Sequence, residues 1–281
     1  MARPKARIVI VNFNGGEFIA AAIASALTQT VACEVLVVDN ASSDGSVALI
    51  ETRFPVVRLL RNSANVGFGA AASMGARAPG DYGYVAFLNS DASAQPAWIE
   101  RVCGWMEDES VDIASSVVSG NAGAFFAGGT WQPFLGTALR RSTYAGKRTA
   151  WVSGCAMVVR RETFVALDGF DRAYFLYYED VDLCLRATAR GMRLGMYREA
   201  LVAHPHEGRS ADRLGSLEKR RVGLHSKGKL VRRFVPFWAL PSALFFQCVV
   251  SPAVNGASIG EYPVLVRAFV EGFQGGAEHF A

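Results

Sequence analysis

The 281 residues carry 29 Lys and Arg against 25 Asp and Glu, a formal net charge of +4 that is too small to suggest nucleic-acid binding. With 51% hydrophobic and 19% charged residues, a chain of this length buries a sizeable core as one large domain or a domain with an appendage. The five cysteines, Cys33, Cys103, Cys155, Cys184 and Cys248, stand singly in apolar segments without metal-ligand spacing, so they read as buried thiols in a reducing compartment.

No secretory signal is visible: the apolar stretch from Ala6 to Phe13 is short and runs into Asn12, Asn14 and a Gly pair, so it is expected to belong to the fold. Arg7–Phe13 has the β-branched, apolar character of a buried parallel strand. A helical pattern follows through Ile19, Ile23 and Leu27, then a second buried strand over Glu34–Val38 that ends at Asp39. Val47–Arg53 reads as helix and Val56–Leu60 as a third strand. Asn65-Val-Gly67 opens an Ala-rich helix to about Arg77. Tyr84–Leu88 is a fourth strand ending at Asn89-Ser-Asp91, and Trp98–Met106 is helical. Ser119–Thr149, rich in Gly, Ala, Ser and Thr, has no clear period and is expected to be a long variable insertion. Trp151–Val159 is a further strand, Glu162–Leu167 a short helix, and Leu194–Tyr197 and Ala200–Ala203 brief strands, the second ending at His204. Strands alternating with helices predict a doubly wound α/β sheet, whose ligands bind beyond the C-terminal strand ends.

Those ends carry acids instead of glycine fingerprints. No G-x-G-x-x-G follows the first strand and no Walker sequence is present, so dinucleotide and P-loop chemistry are not expected. Asp39 follows strand two and Asn89-x-Asp91 follows strand four. Singly, each reads as a turn residue; at one sheet edge they read as groups for a ribose or base and for a divalent cation on a diphosphate. The segment Phe175–Arg186 sets Glu179, Asp180 and Asp182 against an aromatic flank, where carboxylates are costly unless paired, ligating or capping a helix.

These motifs occur in a telling order: Val37–Ser46, Asn62-x-x-Asn-Val-Gly-Phe-Gly69, Leu88-Asn-Ser-Asp91, Ser153–Arg161, Gly169-Phe-Asp171 and Phe175–Arg186. Over about residues 7–210 the chain resembles glycosyltransferase family 2, with a GT-A fold, in its rhamnosyltransferase-like branch. The resemblance implies an inverting transfer from a nucleotide-diphospho-sugar with Mg²⁺ or Mn²⁺, the sugar being L-rhamnose from dTDP-rhamnose or, alternatively, a hexose from UDP. It implies Asp180 as catalytic base with Glu179 beside it, and a donor site from Asn12, Asn14, Asp39, Asn65, Gly67, Asn89, Asp91 and Gly154. Asp91 and His204, or less favourably His206, are the implied metal ligands, with Asn89 standing where the family's D-x-D motif often begins with Asp. Trp151, Tyr177 and Tyr178 offer faces for a sugar or simply pack. The competing class is a non-catalytic nucleotide-sugar-binding scaffold. A nucleotidyltransferase would want a basic, Gly-rich loop after strand one, which Asn12–Gly16 does not supply.

The chain divides by pattern into a catalytic domain over 1–212 and a C-terminal segment over 213–281. Lys219–Arg233 holds seven cations and no acid, and Phe234–Gly260 holds no charge but three prolines. The segment is expected to lie on the inner face of the cytoplasmic membrane, outside the chemistry, serving a glycan or polyprenyl-diphosphate-linked acceptor; a packed cap is the alternative.

Overall fold

The computed structural model describes residues 5–121, 123–205, 216–254 and 257–275. Its strands are β1 (Ala6–Asn12), β2 (Cys33–Asp39), β3 (Arg58–Arg61), β4 (Tyr84–Asn89), β5 (Ser93–Ala94), β6 (Ile113–Gly120), β7 (Gly123–Phe126), β8 (Gly129–Gln132), β9 (Thr137–Arg140), β10 (Met157–Arg160) and β11 (Leu194–Ala203). Nine form one sheet in the order β3-β2-β1-β4-β10-β6-β11-β5, with β7 on β6, while β8 and β9 form a separate hairpin. β3, β2, β1 and β4 are mutually parallel, as is β11 to β6; β10 runs antiparallel to both β4 and β6. The expected doubly wound sheet is therefore present and mixed.

Helices α1 (Phe18–Leu27), α2 (Ser46–Arg53), α3 (Phe68–Arg77), α4 (Trp98–Asp108), α5 (Arg161–Ala166) and α6 (Glu179–Ala189) cover the sheet. Every residue of β1 is buried because β2 and β4 flank it and helices cover it, which is why its sequence runs apolar without alternation. Arg7 is the exception in kind: it is fully buried, and Glu34 Oε2 at 2.7 Å, Ala78 O, Pro79 O and Tyr82 Oη satisfy its guanidinium.

One strand was missed and three expectations need correction. β6, a central strand, was not legible, because Ser115 and Ser116, both fully buried, interrupt its apolar run. The Ser119–Thr149 insertion contains β7 and the β8–β9 hairpin. Trp151–Val159 is strand only from Met157, since Gly154–Ala156 forms a 3₁₀ turn. The two brief strands after Leu194 are one strand with bulges between Tyr197 and Val202.

The tail builds α7 (Ser216–Phe234), a winding helical stretch over Phe237–Val254, and α10 (Tyr262–Gln274) after the short α8 (Leu240–Phe245) and α9 (Ser251–Val254). α7 and α10 meet backbone to backbone: a Cβ added to Gly272 would lie 1.9 Å from His225 O, and one on Gly228 2.2 Å from Phe269 O. Leu224, Val231, Val235, Ala239, Ala243, Leu265 and Phe269 form an apolar cluster of their own. Trp131 packs against both this cluster and the main core. The expected boundary at 212/213 lies outside the described residues.

Candidate active site

One edge of the sheet gathers the C-terminal ends of β1, β2, β4 and β11 and, because β10 is reversed, the turn that enters β10. This is where Asn12, Asp39, Asn89, Asp91, Gly154 and His204 arrive from distant parts of the chain.

Asn12 and Asp39 face each other at the ends of β1 and β2, with Asn12 Nδ2 donating to Asp39 Oδ1 at 2.8 Å and to Ser46 Oγ at 2.8 Å. The Ser42 amide donates to Asp39 Oδ2 at 3.2 Å. Asn12 is fully buried, so its task is to hold the Asp39 carboxylate in place; direct donor contact is not open to it. Asn14 likewise builds the loop: its Oδ1 accepts from the Ser43 amide at 2.6 Å, and its own amide donates to Ser42 Oγ.

Asn65 and Gly67 are brought to the site by a residue that sequence reading missed. Buried Asn40 donates through Nδ2 to Asn65 Oδ1 at 2.6 Å and accepts at Oδ1 from Asn62 Nδ2 at 2.9 Å and the Val66 amide at 3.1 Å. The only sequence signal was its place beside Asp39 and ahead of the Asn62-x-x-Asn65 pair. Gly67 has φ +84°, and a Cβ there would fall 2.3 Å from Phe175 O, which also accepts from the Phe68 amide at 3.0 Å. The glycine thus lets this loop close onto the start of the acidic segment.

That segment then turns sharply. Tyr177 and Tyr178 both adopt left-handed backbone conformations, φ +68° and +66°, immediately before α6. Two consecutive non-glycine residues in that region store strain of about 1–3 kcal/mol each, a pattern concentrated at functional sites. The turn splits the three acids. Asp180 points to the strand edge, where Gly154 N–H donates to Oδ2 at 2.9 Å and Val181 N–H to Oδ1 at 2.8 Å. Burial pushes its carboxyl up from the usual range, against the pull of those backbone donors. Asp182 points the other way, fully buried, to Arg186 Nε at 2.6 Å and Arg233 Nη1 at 3.0 Å. Glu179 is buried against Gly69, where an added Cβ would come within 3.3 Å of its Cβ and Cγ. The Glu179 stem thus packs the base of the segment beside Asp180.

Across from Asp180, Asp91 Oδ1 and His204 Nε2 lie 2.9 Å apart, both side chains nearly buried. His204 is fixed by its amide, which donates to Ser119 O at 2.8 Å. Asn89 is half-buried at the end of β4, and its side-chain amide makes no hydrogen bond to any described residue. Cys155 ties the two acids to one site, because after burial itself the charges of Asp91 and Asp180 both push its thiol up. His206 lies outside the described residues. Trp151 is core, its ring 5.0 Å from that of Phe126, so it presents no face to a sugar.

A family model for glycosyl transferase family 2 matches residues 7–165. The chain belongs to glycosyl transferase family 2. Within it, the chain is similar to the N-acetylglucosaminyl-diphospho-decaprenol L-rhamnosyltransferase of Mycobacterium tuberculosis, 30% identical over 243 residues that cover 73% of this chain and 77% of that one. It is also similar to rhamnosyltransferase WbbL of Escherichia coli K12, 46% identical over 55 residues, 20% of this chain and 21% of that one. This glycosyltransferase is thus in the rhamnosyltransferase-like branch. Solved structures share its GT-A fold. S. aureus TarS 1–349 superimposes with a TM-score of 0.65 at 14% identity, over 95% of this chain and 80% of that one. GalNAc-T7, solved with UDP, GalNAc and Mn²⁺, superimposes with 0.68 at 15% identity, over 97% and 56%.

Proposed function

We propose that this glycosyltransferase moves L-rhamnose from dTDP-rhamnose, with inversion, onto a glycan or polyprenyl-diphosphate-linked acceptor in bacterial surface polysaccharide synthesis. The observation that carries the reading is Asp180, a half-buried carboxylate with a raised pKa, held by two backbone amides on the same edge as Asp39 and Asp91. A non-catalytic scaffold would have no use for a carboxylate kept basic at the cost of burying it.

In an inverting displacement the acceptor hydroxyl attacks the anomeric carbon opposite the leaving diphosphate. Asp180 takes the hydroxyl proton, and its raised pKa makes it a stronger base than an exposed carboxylate. The Gly154 and Val181 amides keep both carboxylate oxygens oriented through that transfer. Asp39, locked by Asn12 and Ser42, presents acceptor oxygens to ribose or base at the far end of the donor. Asn89 offers an amide to the donor from the end of β4.

Asp91 and His204 are the residues that would hold Mg²⁺ or Mn²⁺. Among the described residues no group of three or more His, Cys, Asp or Glu forms a ready-made cage. One carboxylate facing one imidazole nonetheless fits a cation that draws its remaining ligands from substrate phosphates and water. Bound there, such an ion would neutralise charge on the leaving diphosphate.

The same reading places the protein on the inner face of the cytoplasmic membrane. Phe237–Val254 is apolar enough to cross a bilayer by length and composition, but its inner side packs through Ala239, Ala243 and Gln247, the last donating to Leu135 O at 2.7 Å. Its other side leaves Phe237 86%, Phe245 62% and Trp238 57% exposed, with Trp238 edge-on to exposed Phe134. An aromatic patch of this kind suits the interface of a bilayer better than its interior. Replacing Phe237, Trp238 and Phe245 with Ser should release the protein from vesicles in a salt-independent way while leaving its melting temperature unchanged. Retained vesicle binding would contradict the membrane assignment.

The donor is tested by thermal shift with dTDP-rhamnose, UDP-hexoses and GDP-sugars, each with and without Mn²⁺. A ligand at 100 times its Kd adds about 2.7 kcal/mol to stability. Stabilisation by dTDP-rhamnose above the others is expected, and a larger shift with a UDP-hexose would replace the donor.

A further inference from the structure

We infer that Lys227 on α7 is the residue that recognises the phosphate groups of the acceptor. This rests on the proposed reading of a diphosphate-linked acceptor and names the group that reads it.

The basic run Lys219–Arg233 was expected to face lipid. The structure gives most of its cations internal partners instead: Arg220 to Glu261, Arg221 to Glu218, Arg232 to the carbonyls that end α10, and Arg233 to Asp171 and Asp182. Lys229 donates to Ala173 O and Ser226 Oγ to Leu176 O at 2.9 Å. α7 is therefore strapped along the acidic segment from Asp171 to Tyr178, so it packs against the stretch that leads into Asp180.

Lys227 differs from its neighbours. Its ammonium makes no ion pair or hydrogen bond with any described residue and sits 5.9 Å from the ring centre of Tyr178. Tyr178 is the residue that turns the chain into α6, two positions before Asp180, so Lys227 stands beside the turn that presents the base. Burial lowers the Lys227 ammonium to about 8, with no carboxylate among the described residues offsetting it. A desolvated cation without a counter-charge is costly unless a ligand supplies the anion. The donor's diphosphate is assigned to the Asp91 and His204 side, which leaves the acceptor as the source. An acceptor sugar whose hydroxyl reaches Asp180 would carry its diphosphate at its other end, and Lys227, beside Tyr178, is the cation of α7 proposed to meet it.

The test compares two acceptors that carry the same sugar, one on a short prenyl diphosphate and one on a neutral alkyl chain. Wild type should prefer the diphosphate. Lys227→Gln should raise KM for that acceptor about 10- to 100-fold, the range of a lost charge-assisted hydrogen bond, with donor KM and the neutral acceptor unaffected. Lys227→Arg should recover most of the preference. An equal rise for both acceptors, or weakened donor binding, would overturn the inference while leaving the acceptor reading intact. No preference in wild type would overturn the acceptor reading itself. A readout that needs no variant is reductive methylation of the wild-type protein mapped by mass spectrometry: the diphosphate acceptor should protect Lys227 and the neutral one should not, and equal labelling in both would again refute it.

Discussion

Asp180→Asn is expected to lower kcat by about 10²- to 10⁴-fold, the usual contribution of a positioned general base, with nucleotide-sugar affinity held within a few-fold. The amide keeps the size of the side chain and can still accept one of the two backbone hydrogen bonds, from Gly154 or Val181, so the segment stays in place. What it cannot do is take the acceptor's proton. The pH profile gives a second signature. Burial makes folded Asp180 hold its proton more tightly than an ordinary carboxyl, so kcat should fall as pH drops through that raised value, at a pH above the usual carboxylate range near 4. The linked effect on stability has the opposite sense: the folded state binds this proton more tightly than the unfolded chain, so stability declines as pH rises between the two pKa values. Near wild-type transfer by Asp180→Asn would remove it from the base role. Asp182, paired with Arg186 and Arg233, is not placed to substitute.

The second large effect belongs to Asp91. Chelation should stop turnover, and Asp91→Ala should weaken nucleoside-diphosphate binding together with kcat, because the cation would link protein and phosphates. His204→Ala should shift the metal titration to higher concentration, since it removes the imidazole that faces Asp91 at 2.9 Å. Full activity in excess chelator would refute the metal reading, and an unchanged titration in His204→Ala would confine His204 to orienting Asp91.

The sites at strand ends were legible because their signal is local. Asp39 closes an unbroken apolar run, and Asn89-x-Asp91 closes another. The bend that separates Asp180 from Asp182 was not legible, because nothing in a Tyr-Tyr pair announces two left-handed residues in succession. Asn40 was passed over, since these three partners lie 22–26 positions away and only the fold brings them together. β6 hid behind two buried serines. The basic helix was read correctly as a helix and wrongly in its surroundings: charge along a sequence does not reveal which turns face Asp171 and Asp182 and which face solvent.

The central claim is tested most directly by the product itself. Wild-type protein, dTDP-rhamnose, Mn²⁺ and a sugar-diphosphate-prenyl acceptor should give an acceptor heavier by one deoxyhexose, and NMR of the new linkage should show the anomeric configuration inverted relative to the donor. A product with the donor's configuration retained, or no transfer by protein that binds both substrates, would contradict a single displacement driven by Asp180.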